Sequence, residues 1–199
     1  MDQSIMENVI QTLDKEGKEI LRLKETLDLK AIETIIEKIA SCKGKVILTG
    51  CGTSAMAARK IAHSLSVIDI PSVFLNPSDA VHGSLGVVQK DDIVIFISKG
   101  GNTGELTSFI DNVRNKKAFI ITVSENEESI LAKKCDLFLK IKVEKEADEY
   151  DMLATASTLC VISVFDAICI ALMKYTGFSR EKFLLNHPKG AVGERLKRQ

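Results

Sequence analysis

The groups in this chain with the means to do chemistry are small hydroxyl residues, a run of carboxylates and two histidines in loop-forming surroundings. The hydroxyls fall in three turns. Gly50-Cys51-Gly52-Thr53-Ser54 follows the strand pattern Val46-Ile47-Leu48-Thr49, and Ser98-Lys99-Gly100-Gly101-Asn102-Thr103 follows Ile93-Val94-Ile95-Phe96-Ile97. Thr155-Ala156-Ser157-Thr158 precedes a long apolar helix pattern. A helix N-terminus offers unpaired N–H groups and a partial positive charge, and hydroxyls add donors, so three such turns brought together would make an anion pocket. A phosphorylated small molecule is the expected ligand. Ser54, Ser98, Thr103, Ser157 and Thr158 are the candidate donors, with Gly52, Thr53, Lys99, Gly101 and Asn102 completing the turns. Any of the hydroxyls could equally be a simple N-cap.

The carboxylates Glu144, Glu146, Asp148, Glu149 and Asp151 run into the third turn. Acidic runs of this kind are usually solvated loops. His82 and His187 are flanked by Gly or Pro, which favours ordered loops, whereas His63 lies within a helix pattern and reads as a packing or surface residue. A carboxylate and a histidine in a partly closed pocket can be tuned toward neutrality, the requirement for general acid–base work. That chemistry needs no cofactor, and no metal is expected.

The elements that must position these groups follow from periodicity. Apolar residues recur at helical spacing from Ile5 to Ile39, giving two helices or one bent helix over the first 40 or so residues. Past Lys45, short β-branched runs alternate with helix patterns: strands at 46–49, 72–75, 93–97, 118–123 and 137–143, and helices at 55–67, 103–115 and 129–134. This alternation predicts an α/β fold, a parallel sheet between two helical layers in an α/β/α sandwich. Residues 78–89 read as a loop. No linker or repeat divides the chain, so a single domain over 1–199 is expected, with a helical segment at 1–40 and the α/β core at 41–199.

Lys plus Arg equals Asp plus Glu at 27 each, which removes the broad positive field that binding nucleic acid or an anionic membrane non-specifically would require. The five cysteines are scattered without a C-x-x-C pair, so a reducing cytoplasm is the expected compartment. The opening residues do not read as a leader, and the apolar run 160–173 contains Asp166 and falls short of the about 20 residues that span a bilayer. It reads as a buried helix.

Gly50-Cys51-Gly52-Thr53-Ser54-Ala55 also fits the G-x-G-x-x-A dinucleotide fingerprint. The ribose-gripping acid should then end the second strand, where this chain has Asn76-Pro77, with Asp79 only in the loop beyond. The two glycines could also do no more than allow a tight turn.

With the turns placed, the chain resembles the SIS (sugar isomerase) domain family, and within it the arabinose 5-phosphate isomerases, over roughly residues 30 to 198. Asp79-Ala80-Val81-His82-Gly83-Ser84-Leu85-Gly86 is similar to their E/D-A-x-H-G-D-L-G loop, and His187-Pro188-Lys189-Gly190-Ala191-Val192-Gly193 to a late H-P-G-G-A-L-G. The resemblance implies a five-stranded parallel sheet between helices, a homo-oligomer that is commonly a homotetramer, and a phosphosugar site without metal or cofactor. It places Glu146 opposite a family glutamate, making it the expected enediol base. It also makes His187 an acid or base supplied across a subunit interface, with His82 as a further functional histidine. Many arabinose 5-phosphate isomerases carry a C-terminal pair of CBS modules, which a sequence ending at Gln199 is expected to lack.

Several departures stand out. Thr53 occupies the place of the isomerases' first-turn lysine, Gly100 that of their second-turn second serine and Asn102 that of a glutamate, while Lys99 adds a cation to the second turn. Lys99 is therefore the expected phosphate cation, unless it simply points into solvent. The leading expectation is an aldose–ketose isomerase of the arabinose 5-phosphate type. The alternatives are a phosphosugar sensor without turnover and a hexulose 6-phosphate isomerase.

Overall fold

The computed structural model describes residues 3–189. The N-terminal segment is two helices, α1 (Gln3–Thr26) and α2 (Leu29–Ala40), and the break has a local cause. Asp28 leaves helical geometry at ψ 99° and its carboxylate caps α2, accepting from Lys30 N at 2.9 Å and Ala31 N at 3.2 Å. Leu23, Ala31, Ile35 and Ile39 form the buried stripe of the pair.

Five parallel strands follow: β1 (Val46–Gly50), β2 (Ser72–Phe74), β3 (Ile93–Ile97), β4 (Phe119–Ser124) and β5 (Leu137–Lys140), in spatial order β2-β1-β3-β4-β5. Every residue of β1 and β3 is buried because helices cover both faces, which is why these strands read as continuous apolar runs. Side chains alternate between two cores. Leu48, Ile95, Ile97, Ile121 and Val123 face α1, α2, α3 (Gly52–Val67) and α8 (Ala156–Tyr175). Ile47, Val94, Phe96 and Ile120 face the opposite layer, built from α4 (Pro77–Ala80), α5 (Gly104–Thr107), α6 (Ile110–Asn115) and α7 (Ile130–Lys133).

Three expectations need correction. The single helix expected at 103–115 is two, because Phe109 leaves helical geometry and turns its fully buried ring onto Phe96, centroids 5.4 Å apart. The loop expected at 78–89 contains α4, capped by Asn76, and a 3-10 turn at Ser84–Val87, both too short to show a period. The apolar helix is longer than the 160–173 run. α8 has 20 residues, with mean hydropathy 2.2 in its most apolar window, enough by length and composition to cross a membrane. Here one face of it, Ala156, Cys160, Val164, Phe165, Ile168, Cys169 and Leu172, is buried against α3, α1 and α2.

The last described helix, α9 (Arg180–Asn186), was not foreshadowed by periodicity. Asn186 Nδ2 donates to Val67 O at 3.0 Å and Asp69 Oδ1 at 2.8 Å, seating α9 at the C-terminal end of α3. Gly190 to Gly193 of the late marker lie outside the described residues.

Candidate functional site

Strand order reverses between β1 and β3, so the chain segments leaving their carboxyl ends diverge to opposite faces and leave a crevice between them. The turns after β1 and β3 and the start of α8 all line that crevice. It is a cavity of about 90 Å³ whose walls include Thr53, Ser54, Lys99, Ser124, Ser157 and Thr158 over an apolar floor of Ile97, Val123 and Val161. A wider cleft of about 540 Å³ at the opposite sheet edge is lined by Lys38, Lys90, Arg114 and Lys117. It receives none of the three turns.

Each turn has its own reason for its shape. At Gly50 a Cβ would lie 2.9 Å from Ser54 O and 3.1 Å from Ile97 O, so only glycine lets α3 start this close to β1 and β3. Gly101 takes φ +68°, and a Cβ there would fall on Ser129 Oγ and 2.5 Å from Ser129 Cβ. Around it, Ser98 Oγ accepts from Gly101 N at 3.1 Å and shares a 2.9 Å hydrogen bond with Thr103 Oγ1. Asn102 Oδ1 accepts from Ile130 N at 2.9 Å and so caps α7. The second turn is thus folded on its own side chains before any ligand arrives, and Ser98 is buried within it.

The acidic stretch is no solvated loop at its centre. Glu146 is 2% exposed. Its Oε1 lies 2.8 Å from Lys99 Nζ, and its Oε2 accepts from Thr155 N at 3.0 Å, Ser157 N at 3.1 Å and Thr155 Oγ1 at 3.3 Å. Burial alone would raise this carboxyl, but the Lys99 ammonium and the hydrogen bonds from Ser157 and Thr155 outweigh it and bring it down to about 2. Burial would likewise lower Lys99, yet Glu146, with Glu125 and Asp151 beyond it, holds the ammonium above its ordinary range.

The backbone around Glu146 is fixed from several directions. Asp151 Oδ1 accepts from Glu146 N at 2.6 Å, and Thr155 Oγ1 from Ala147 N at 2.9 Å. From α1, Lys15 Nζ donates to Ala147 O at 2.8 Å, Arg22 Nη2 to Lys142 O at 2.7 Å, and Glu19 Oε2 accepts from Glu144 N at 3.1 Å. The N-terminal helix is therefore part of what positions the site. The outer carboxylates behave otherwise: Glu144 is exposed, and Asp148 folds the loop tip by accepting from Tyr150, Met152 and Leu153 N.

Of the residues singled out in the sequence, Thr53, Ser54, Lys99, Ser157 and Thr158 line one cavity, and Glu146 closes on Lys99 beside it. Ser98, Gly101, Asn102 and Thr103 build the second turn. Gly52 opens α3 but faces a neighbouring cleft that Arg59, Phe74 and Asn76 line. His82 is exposed beyond α4, and His63 is exposed on α3. His187 stacks on Phe183 at 4.2 Å beside the C-terminal end of α3, roughly 15–21 Å of helix from the α3 residues that line the cavity. Neither His82 nor His187 lines the cavity of its own chain. Sequence reasoning passed over Ser124, a hydroxyl at a strand's carboxyl end, and the part in holding Glu146 of Asp151, which takes a left-handed φ of 56°. Among the described residues no group of three or more His, Cys, Asp or Glu is placed to hold a metal ion.

A profile of the SIS domain matches residues 38–171. Among curated proteins, the chain is 33% identical over 196 residues to arabinose 5-phosphate isomerase KpsF of Escherichia coli, covering 98% of this chain and 62% of that protein. It is 39% identical over 160 residues to arabinose 5-phosphate isomerase KdsD of E. coli K12, covering 80% and 49%. The chain thus spans between half and three-fifths of the length of these relatives. Two solved structures superpose over their whole length. One is a candidate sugar-phosphate isomerase of Listeria monocytogenes, with 49% identity, TM-score 0.93 and 95% of this chain covered. The other is an E. coli CFT073 protein in complex with arabinose 5-phosphate, with 33% identity, TM-score 0.90 and 94% of this chain covered. By the extent of the profile match and by these end-to-end superpositions, the chain belongs to the SIS domain family.

Proposed function

We propose that this chain binds a phosphosugar in the crevice between β1 and β3 and interconverts an aldose phosphate and a ketose phosphate through an enediol, in the manner of arabinose 5-phosphate isomerase. The observation that carries the reading is Glu146, a buried carboxylate bonded to Lys99 of the second turn and to Thr155 and Ser157 of the third, beside the cavity that all three turns line. Lowered to about 2 rather than tuned toward neutrality, it is ionised at neutral pH, the form a base must have, but in the unliganded fold it is a weak one. The relatives' names, KpsF and KdsD, and the complex with arabinose 5-phosphate support the same substrate class.

In this reading Glu146 takes the carbon-bound proton, and the hydroxyls and N–H groups of the three turns hold the phosphate and sugar oxygens. His187 and His82 serve the oxygens of the enediol. Because neither lines the cavity of its own chain, both act from a neighbouring subunit, in a cytoplasmic homotetramer. A phosphosugar sensor without turnover is the second reading, favoured by Thr53 and Asn102, which stand where the isomerases have lysine and glutamate.

Proton NMR in deuterated water with arabinose 5-phosphate, ribulose 5-phosphate and fructose 6-phosphate tests both. Deuterium beside the carbonyl together with aldose–ketose conversion is the expected result. Line broadening of the sugar phosphate with neither would replace the isomerase by the sensor.

A further inference from the structure

The wide cleft at the amino edge of the sheet has a charge that the whole chain does not. Basic and acidic residues balance at 27 each overall, yet this cleft gathers Lys38, Lys43, Lys90, Arg114 and Lys117 around about 540 Å³. Three aspartates stand among them. Asp92 is 2% exposed and paired with Lys45 at 2.8 Å, so the five cations face Asp91 and Asp136, and Asp136 already accepts from Ile120 N at 2.8 Å.

Two of the cations serve their own helices. Lys38 in the last turn of α2 lies 4.7 Å over the Phe119 ring, and Arg114 in the last turn of α6 donates to Lys134 O, so each complements the negative end of its helix. Lys43, Lys90 and Lys117 differ. They are exposed, they come from three separate connections, and among the described residues their side chains have no hydrogen-bond or ion-pair partner.

The sheet sets their spacing. Lys43 and Lys90 each stand three residues ahead of a registered pair, Val46 opposite Ile93, and Lys117 stands two ahead of Phe119, which is opposite Ile93 in turn. Gly44 N donates to Asp91 O at 3.2 Å, and a Cβ at Gly44 would lie 2.8 Å from that oxygen, so glycine draws the first two connections together. Neighbouring strands are about 4.8 Å apart, so the three connections carry their lysines in a row about 10 Å long. One phosphate meets part of such a row. A chain of phosphates, charged at each link, meets all of it, and the volume suits a small molecule of that size.

We propose that this cleft is a second anion site, for a small molecule carrying a chain of two or more phosphates, whether a nucleotide or an inorganic polyphosphate. The five residues of β3 put about 17 Å of strand between it and the crevice, so its ligand does not compete with one bound there. The site stands independently of the phosphosugar reading.

Calorimetric titration of inorganic tripolyphosphate and of ATP, in buffer free of divalent metal, tests it. One equivalent of tripolyphosphate should bind wild type, and Lys90→Glu/Lys117→Glu should weaken that binding about tenfold or more. Lys43→Glu, in a different connection, should weaken it as well. Lys18→Glu/Lys24→Glu makes the same change of net charge on the exposed face of α1, and Lys99→Ala removes the crevice cation. Both should bind as wild type does. No binding by wild type overturns the proposal, and so does an equal loss in the α1 variant or in Lys99→Ala, with folding of each variant checked by thermal unfolding. ATP bound more tightly than tripolyphosphate identifies the ligand as a nucleotide. Equal or weaker binding of ATP identifies it as the polyphosphate chain alone.

Discussion

Lys99 Nζ and Glu146 Oε1 are 2.8 Å apart, at the one point where a cation from the turn after β3 meets a carboxylate from the stretch before α8. The pair ties folding to pH. The Glu146 carboxyl falls from 4.5 to about 2 in the folded protein, so the unfolded chain takes up this proton more readily. The stabilisation is therefore complete above about pH 4.5 and is lost as pH falls toward 2, on the order of 3 kcal/mol in all. Urea unfolding of wild type and Glu146→Gln at neutral pH and near pH 3 should show the gap between them shrink in acid. A gap unchanged by pH would mean that the carboxylate's charge does not contribute.

Gly101→Ala should be more damaging than an exchange on a solvent-facing turn. The added methyl must adopt φ +68° and displace Ser129, whose Oγ accepts from Ala132 N at the start of α7. A left-handed alanine costs about 1 kcal/mol and the overpacking about 1–3 kcal/mol more, so a loss of about 2–4 kcal/mol is expected. The midpoint of chemical denaturation measures it, and a loss below the first figure would mean that the turn relaxes freely.

Much of this architecture is legible in the chain. The all-apolar runs 46–48 and 93–97 announce central parallel strands, and the hydroxyl turns behind them mark the crevice, because strand period and turn chemistry are local. Helix breaks were less visible. Phe109 looks like one more apolar position in a helix until the ring of Phe96 is there to receive it. The site's electrostatics were hidden for a related reason. Lys99 and Glu146 are 47 residues apart, and Asn102 caps a helix 28 residues downstream, so neither pairing leaves a mark on local spacing. Lys99 read as a free phosphate cation, whereas in the fold it is already engaged by a carboxylate.

Asn102 offers a way to separate building the turn from touching a ligand. Its Oδ1 caps α7 through Ile130 N, so Asn102→Ala should cost about 1 kcal/mol, while Asn102→Asp, which keeps the acceptor, should cost little. If the side chain serves only the turn, the Asp variant will bind arabinose 5-phosphate as wild type does. Weakened binding by a stable Asp variant would instead place Asn102 against the ligand, where a new carboxylate repels phosphate.

The seat of α9 leads to a prediction about assembly. Asn186 is held to Val67 and Asp69 at the far end of α3, and the His187 ring lies flat on Phe183. A side chain held there cannot serve the crevice at the start of the same α3, since the helix between them is far longer than a histidine's reach. If His187 takes part in the reaction, it must do so in the crevice of another subunit. Glu146→Gln and His187→Ala should then each be inactive alone, and mixed oligomers formed by co-refolding them should regain isomerisation, since some crevices would combine an intact Glu146 from one chain with an intact His187 from the next. Recovery in the mixture, with none in either parent, is the expected result. Full activity of His187→Ala by itself would take this histidine out of the mechanism. Two inactive parents that stay inactive when mixed would rule out a contribution between subunits.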